Sequence, residues 1–185
     1  MSGRLKLITK PAIEPVTVDD VRLFGRMPDD VDDEAIEPLI ASARKAAEEY
    51  QGRAYITQTW ELVFDSFPAC PIQIPKPPLL TLVSVQVTDI TGSLTTMTLT
   101  DFLVDPSGAC GTISLKYGKS WPAVIPERAG VVIRFTCGYG PAASDVPDRV
   151  KMAIIFGAVF RHFDTESQLP DAFYRELDDD CIRMV

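Results

Sequence analysis

Five acidic residues crowd one short stretch of this 185-residue chain: Asp29, Asp30, Asp32, Asp33 and Glu34. Carboxylates at that density are what a hard cation or an acid/base pair needs. A calcium loop also requires a glycine at its sharp turn and a closing glutamate. No glycine lies in the run. The residues suit the positive end of a helix and a solvated loop better. His162 is the single histidine and follows Arg161. It can favour the negative end of a helix or lie exposed. No Gly-x-Ser-x-Gly elbow is present to give it a nucleophile. Cys70, Cys110, Cys137 and Cys181 are far apart, with no C-x-x-C pair, so free thiols are expected rather than a zinc site. Gly138-Tyr139-Gly140 lacks the third glycine and the Lys-Ser/Thr of a phosphate loop and fits a turn. Trp60, Phe64, Tyr117 and Trp121 can line a sugar-binding face, but alternating strand aromatics are more often core. Trp121 either folds over a sheet edge or makes an exposed contact. No catalytic group, cofactor or metal is expected.

The net charge is −8, with 18 Lys plus Arg against 26 Asp plus Glu. That argues against a protein that wraps nucleic acid, because displacing counterions needs cations. A pore that DNA merely crosses is compatible, since an acidic wall repels phosphates. The N-terminus has no long apolar run of the signal-peptide kind. The apolar stretch 152–160 is bracketed by Lys151 and Arg161 and is too short to span a bilayer. A soluble protein of the cell interior is expected.

The elements follow from periodicity. Residues 17–25 predict a short helix with Thr17 as cap, acids at its start and Gly25 at its close. A second helix is expected from about Asp33 to Gln51. Ile36, Leu39, Ile40, Ala43, Ala47 and Tyr50 form its buried stripe, and Arg44, Lys45, Glu48 and Glu49 lie mostly opposite. Pro38 requires either a start near Glu37 or a kinked first turn. From 54 to 138 the pattern changes to about seven short strands separated by turn signals, which predicts an antiparallel sandwich or small barrel. A third helix, capped by Ser144 or Asp145 with Pro147 in its first turn, runs to about Phe163. It is apolar nearly all round, which suits a bundle core or a subunit interface. Residues 171–179 predict a last short helix.

The fold class expected is therefore α+β. A small helical core, formed by N-terminal (1–53) and C-terminal (141–185) parts, is interrupted by an antiparallel β insertion (54–140).

An ordered set of pieces runs through most of residues 5–163. Leu5 to Pro11 precedes Glu14-Pro15-Val16-Thr17-Val18-Asp19-Asp20-Val21. The second helix ends in Tyr50-Gln51-Gly52-Arg53. Then come Ile56-Thr57-Gln58-Thr59-Trp60-Glu61-Leu62 and Ile74-Pro75-Lys76-Pro77-Pro78-Leu79. Ser120-Trp121-Pro122, the 132–140 strand and its Gly-Tyr-Gly, and Val146-Pro147-Asp148-Arg149-Val150 complete the set. In this order they resemble the longer, insertion-bearing head–tail connector (adaptor) proteins of long-tailed phages and gene transfer agents. The sequence departs from that family after Phe160, where the family has a Tyr/Trp-rich ending, and its tail is only loosely similar.

The resemblance implies a structural virion protein, assembled in the bacterial cytoplasm and located in the neck between portal and tail. Such proteins form a homo-oligomeric ring, usually of twelve copies. The ring extends the DNA channel under the portal protein and offers a platform to a downstream neck or tail-completion (stopper) protein. DNA passes without sequence-specific binding, and no membrane is involved. A ring needs two complementary surfaces on one chain. Ile155, Phe156, Val159, Phe160, Phe173, Tyr174 and Arg175 are the candidate subunit or portal interface. The alternative is a β-sandwich module that binds carbohydrate or protein and carries a helical cap.

Overall fold

The computed structural model describes residues 3–28, 31–66, 71–89, 91–122, 130–164 and 168–178. The fold is α+β and divides into two compact units. One comprises residues 1–10 and 57–138, the other residues 11–56 and 139–185.

The first unit is built of antiparallel strands, with one 3-10 turn at Leu99–Asp101. Its larger sheet has the order β1 (Arg4–Thr9), β2 (Gln58–Phe64), β8 (Val131–Cys137), β4 (Leu79–Thr88), β5 (Leu94–Thr96). A smaller sheet has the order β3 (Ile72–Ile74), β7 (Gly111–Leu115), β6 (Phe102–Asp105). The larger sheet is open, ending at β1 and β5, so the expected sandwich-or-barrel choice resolves to two sheets. Period two decides which side chains go inward. In β8, Val131, Ile133, Phe135 and Cys137 are all buried, and Val132, Arg134 and Thr136 between them are half-buried. Across from it, Glu61 of β2 is in register with Arg134 and accepts its Nε–H at 3.0 Å. The sheets meet where Gly111 faces Leu79, whose side chain fills the space a Cβ would occupy at Gly111.

The second unit is helical: α1 (Val18–Gly25), α2 (Asp33–Gln51), α3 (Asp148–Phe163) and α4 (Asp171–Arg175). Its core gathers Val21, Ile36, Ile40, Ala43, Ala47, Tyr55, Ile154, Ala158, Phe173 and Leu177. α3 packs on both α1 and α2. Gly157 makes the α2 contact close, since a Cβ there would sit 3.2 Å from that of Ala43. α1 starts with a capping box. Thr17 Oγ1 accepts from the Asp20 N–H at 3.1 Å, and Asp20 Oδ2 accepts from the Thr17 N–H at 2.9 Å. That backbone bond and the Thr17 hydroxyl hold the Asp20 pKa below the ordinary aspartate value.

Several expectations need correction. Residues 1–10 were assigned to the helical part, yet β1 pairs with β2 and belongs to the β unit. All six of its residues are exposed, so the strand buries no face that periodicity could reveal. The second helix starts at Asp33, ahead of Pro38, which lies in its second turn. The N–H missing at Pro38 would have bonded the Glu34 carbonyl. Both residues are exposed, and water can take that carbonyl. α1 closes one residue later than expected, on Arg26 in the left-handed conformation. Pro147 is the N-cap of α3 rather than part of its first turn, and Asp145 instead closes a preceding 3-10 turn by accepting from the Ala142 N–H. Glu48 is buried and Tyr50 is exposed, the reverse of the predicted stripe.

Candidate functional site

The candidate surface is built on α3. Between Lys151 and Arg161 the helix carries no charge, and α1 and α2 cannot cover all of it. Val150, Ala153, Ile154, Gly157 and Ala158 are buried. Phe156, Val159 and Phe160 remain half-buried, and Met152 and Phe163 are exposed.

The seven residues singled out from the sequence therefore divide. Ile155 is buried, and Phe173 is fully buried. A Cβ on Gly157 would lie 2.8 Å from the Phe173 ring, so the ring fills the notch that glycine leaves. These two side chains hold the helical unit together. Phe156, Val159, Phe160 and Tyr174 are half-buried and Arg175 is exposed. Met152 and Phe163 belong with this second group, and the sequence reading missed them. Both ends of α3 are apolar and adjoin charged residues, so neither carried a distinguishing signal.

α1 and α3 run parallel. The Lys151 charge near the start of α3 acts on Asp20 near the start of α1. Gly25 at the end of α1 lies against Val159. Leu23 and Phe24 are exposed toward the end of α1, as Phe163 is at the end of α3. This end of the unit is apolar and open.

The tail is docked by polar groups that periodicity could not reveal. Gln51 is buried; its Nε2 donates to the Leu177 carbonyl at 2.7 Å, and its Oε1 accepts from the Tyr55 hydroxyl at 2.8 Å. The Tyr50 hydroxyl donates to Asp178. Arg149 Nη2 donates to the Arg175 carbonyl at 3.0 Å.

A second network ties residues 11–17 to α2. Arg44 donates to both oxygens of Glu14, at 2.6 and 3.2 Å, and to Glu48 at 2.7 Å. Glu48 also accepts from the Tyr55 N–H at 2.9 Å. Burial works against the Arg44 charge. The Glu14 hydrogen bond and the two carboxylate charges outweigh it and raise the pKa above the ordinary arginine value. Beside this network an open groove of about 660 Å³ runs between residues 13–18 and one face of α2, lined by Ile13, Val16, Pro38, Ile40 and the carboxylates Glu14 and Glu37.

The other candidate chemistry is dispersed. Asp29 and Asp30 lie outside the described residues. Asp33 pairs with Arg22 at 2.8 Å, which ties the acidic run to α1. Among the described residues no three His, Cys, Asp or Glu are grouped to hold a metal ion. Cys110 is half-buried and Cys137 is buried; Cys70 and Cys181 lie outside the described residues. His162 is half-buried, with its ring edge-on to Phe163. Gly140 permits a close approach, since the Asp145 carboxylate occupies the position of a Cβ. The four aromatics make no shared face. Phe64 is buried, Trp60 is half-buried and donates to Gln58, Trp121 packs on Phe102 at 5.8 Å, and Tyr117 stands fully exposed. No helix among the described residues is long and apolar enough to cross a membrane.

No protein-family model matches the chain, and no curated protein matches it. Solved structures do. A chain of the "Neck of empty GTA particle computed with C6 symmetry" is 19% identical with a TM-score of 0.82, over 98% of this chain and 97% of that one. A chain of the "Virion of native gene transfer agent (GTA) particle" is 20% identical with a TM-score of 0.81 over the same shares. A chain of the "Neck of native GTA particle computed with C12 symmetry" is 20% identical with a TM-score of 0.79, again over 98% and 97%. This protein shares its fold with these chains over 98% of its length.

Proposed function

We propose that the protein is a structural component of a virion neck: an adaptor that forms a ring beneath the portal, extends the DNA channel and links the head to the next neck or tail component. The observation that carries this reading is the full-length likeness, helical unit and β unit together, to chains of particle necks computed with sixfold and twelvefold symmetry. The chemistry agrees. The chain is acidic, which suits a conduit that DNA crosses without adhering. The half-open face of α3, with Phe156, Val159, Phe160 and Phe163, and the apolar end of α1 at Leu23 and Phe24 suit a subunit interface. Tyr174 and Arg175 on α4 extend the candidate surface toward a portal. Ile155 and Phe173 support it from inside.

Negative-stain microscopy and mass photometry test the reading, on the purified chain alone and with the portal protein of the same particle. A closed ring, alone or on the portal, is the expected outcome. Phe163→Asp should abolish it while leaving the circular dichroism spectrum unchanged. A chain that neither self-associates nor binds the portal overturns the proposal.

A further inference from the structure

We infer that neighbouring copies of this chain dock by seating the Tyr117 turn of one copy in the groove between residues 13–18 and α2 of the next. The inference rests on the ring reading, because it needs a second copy and a contact whose two halves differ.

The turn is built to present its tyrosine. Lys116, Tyr117, Gly118 and Lys119 form a β-turn closed by the Lys119 N–H on the Lys116 carbonyl at 3.0 Å. Gly118 has φ +78°, the conformation that the third position of a type II turn demands. The backbone is held from below. The Lys116 N–H donates to the Asp101 carbonyl at 2.9 Å, and Lys119 Nζ meets the Asp101 carboxylate at 2.8 Å. Tyr117 is fully exposed at the tip. An amphipathic ring on a fixed backbone loses little freedom on binding, and tyrosine is enriched among residues that anchor interfaces.

The groove is complementary in shape and charge. Its volume of about 660 Å³ admits an aromatic ring. Val16 and Ile40 are buried beneath it, and Pro38 and Ala41 line its α2 side. Its polar groups are the carboxylates Glu14 and Glu37 and the Thr17 hydroxyl, which already donates to Asp20. Arg44 is shared between Glu14 and Glu48, so one cation serves two carboxylates and the groove stays negative. Lys116, exposed beside Tyr117, supplies the opposite charge, while Lys119 is held by Asp101. In a chain with a net charge of −8, a basic, aromatic turn and an acidic, apolar groove are two halves of one heterologous contact.

The test uses the full-length chain with Tyr117 replaced by p-benzoylphenylalanine. Isotopically light and heavy preparations are mixed, irradiated over a concentration series up to the solubility limit, and mapped by mass spectrometry. Mass photometry runs in parallel, with and without portal. Light-to-heavy cross-links from position 117 to residues 13–18 or 37–41 are expected. Glu37→Lys should lower their yield about fivefold, as for one exposed ion pair turned repulsive. Lys116→Glu in the same chain should restore it. If copies associate but the cross-links map elsewhere, the docking is wrong and the ring reading stands. If copies associate neither alone nor on the portal, the ring reading fails and takes this inference with it.

Discussion

The two units use polar groups in different ways. In the β unit two carboxylates shape solvated turns, and Glu61 pairs with Arg134 across strands. Asp89 accepts from the N–H groups of Thr91 and Ser93 within its own turn, and Asp105 does the same with Ser107. In the helical unit, beside local caps at Asp20 and Asp145, some polar ties are buried and some reach across the sequence. Gln51 holds Leu177, Glu48 holds Tyr55, and Arg44 holds Glu14. A sheet fixes its strand neighbours by backbone pairing, so a cross-strand pair such as Glu61 with Arg134 adds to a register already set. Helices satisfy their backbones internally, and nothing in that bonding says which helix lies beside which. Buried polar ties and a ring-into-notch contact supply that information.

Substitutions can break this contrast, beginning with the largest effect. Phe173→Ala empties the notch at Gly157 and should cost about 3–5 kcal/mol, measured by urea denaturation. A loss below 1 kcal/mol would show that the tail does not close the helical core. Arg44→Met strands two carboxylates and should cost about 3 kcal/mol. Replacing Glu14 by Gln in the same chain should recover part of that. Thr17→Ala removes one half of the capping box and should cost about 1 kcal/mol. Asp89→Asn, in the solvated turn, keeps an acceptor oxygen and should lower the urea midpoint least of the four; a shift as large as that of Arg44→Met would mean that the β unit depends equally on its polar side chains.

Acid sharpens the same comparison. Asp20 and Asp148 in the helical unit, and Asp89 and Asp105 in the β unit, all have pKa values below the ordinary aspartate value. The causes are hydrogen bonds from Thr17, from Lys151, from Thr91 with Ser93, and from Ser107 respectively. A lowered folded value favours the folded state when the group is ionised. That contribution is fully present above about pH 3.9, the unfolded aspartate value, and disappears as pH falls through the lower folded values. Thermal melts followed from pH 5 downward should therefore lose stability only below about pH 4. Thr17→Ala should flatten part of that slope.

Much of the fold was legible because burial wrote itself into the period. The alternation in β8 and the Ile36-Ile40-Ala43-Ala47 stripe in α2 each point one face inward, and the structure buries both. Legibility failed where that coupling is absent. β1 alternates Arg4, Leu5, Lys6 and Leu7 but buries neither side, so the pattern had no visible consequence. Glu48 looks like a surface residue by type, and its burial is explained by the Tyr55 N–H and the Arg44 guanidinium that it binds. For the candidate surface, apolarity along α3 was readable, but not which residues the monomer would consume. Phe173 and Phe163 are the same residue type, one fully buried and one largely exposed. The difference lies in Gly157, more than a helix away in sequence from Phe173.

The division of the chain also sets a timetable. The β unit is complete once Cys137 and Gly138 leave the ribosome, because β1, made first, finds its partner β2 and then β8. α1 and α2 are made early but find α3 and Phe173 only after the whole β unit has been translated. Through that interval the Ile36–Ala47 stripe has nothing to cover it, and exposed apolar helices in a nascent chain invite wrong partners. Phe173 and Leu177 join the helical core only after the whole β unit has been translated, so a copy truncated before them would carry a finished β unit on an unfinished core.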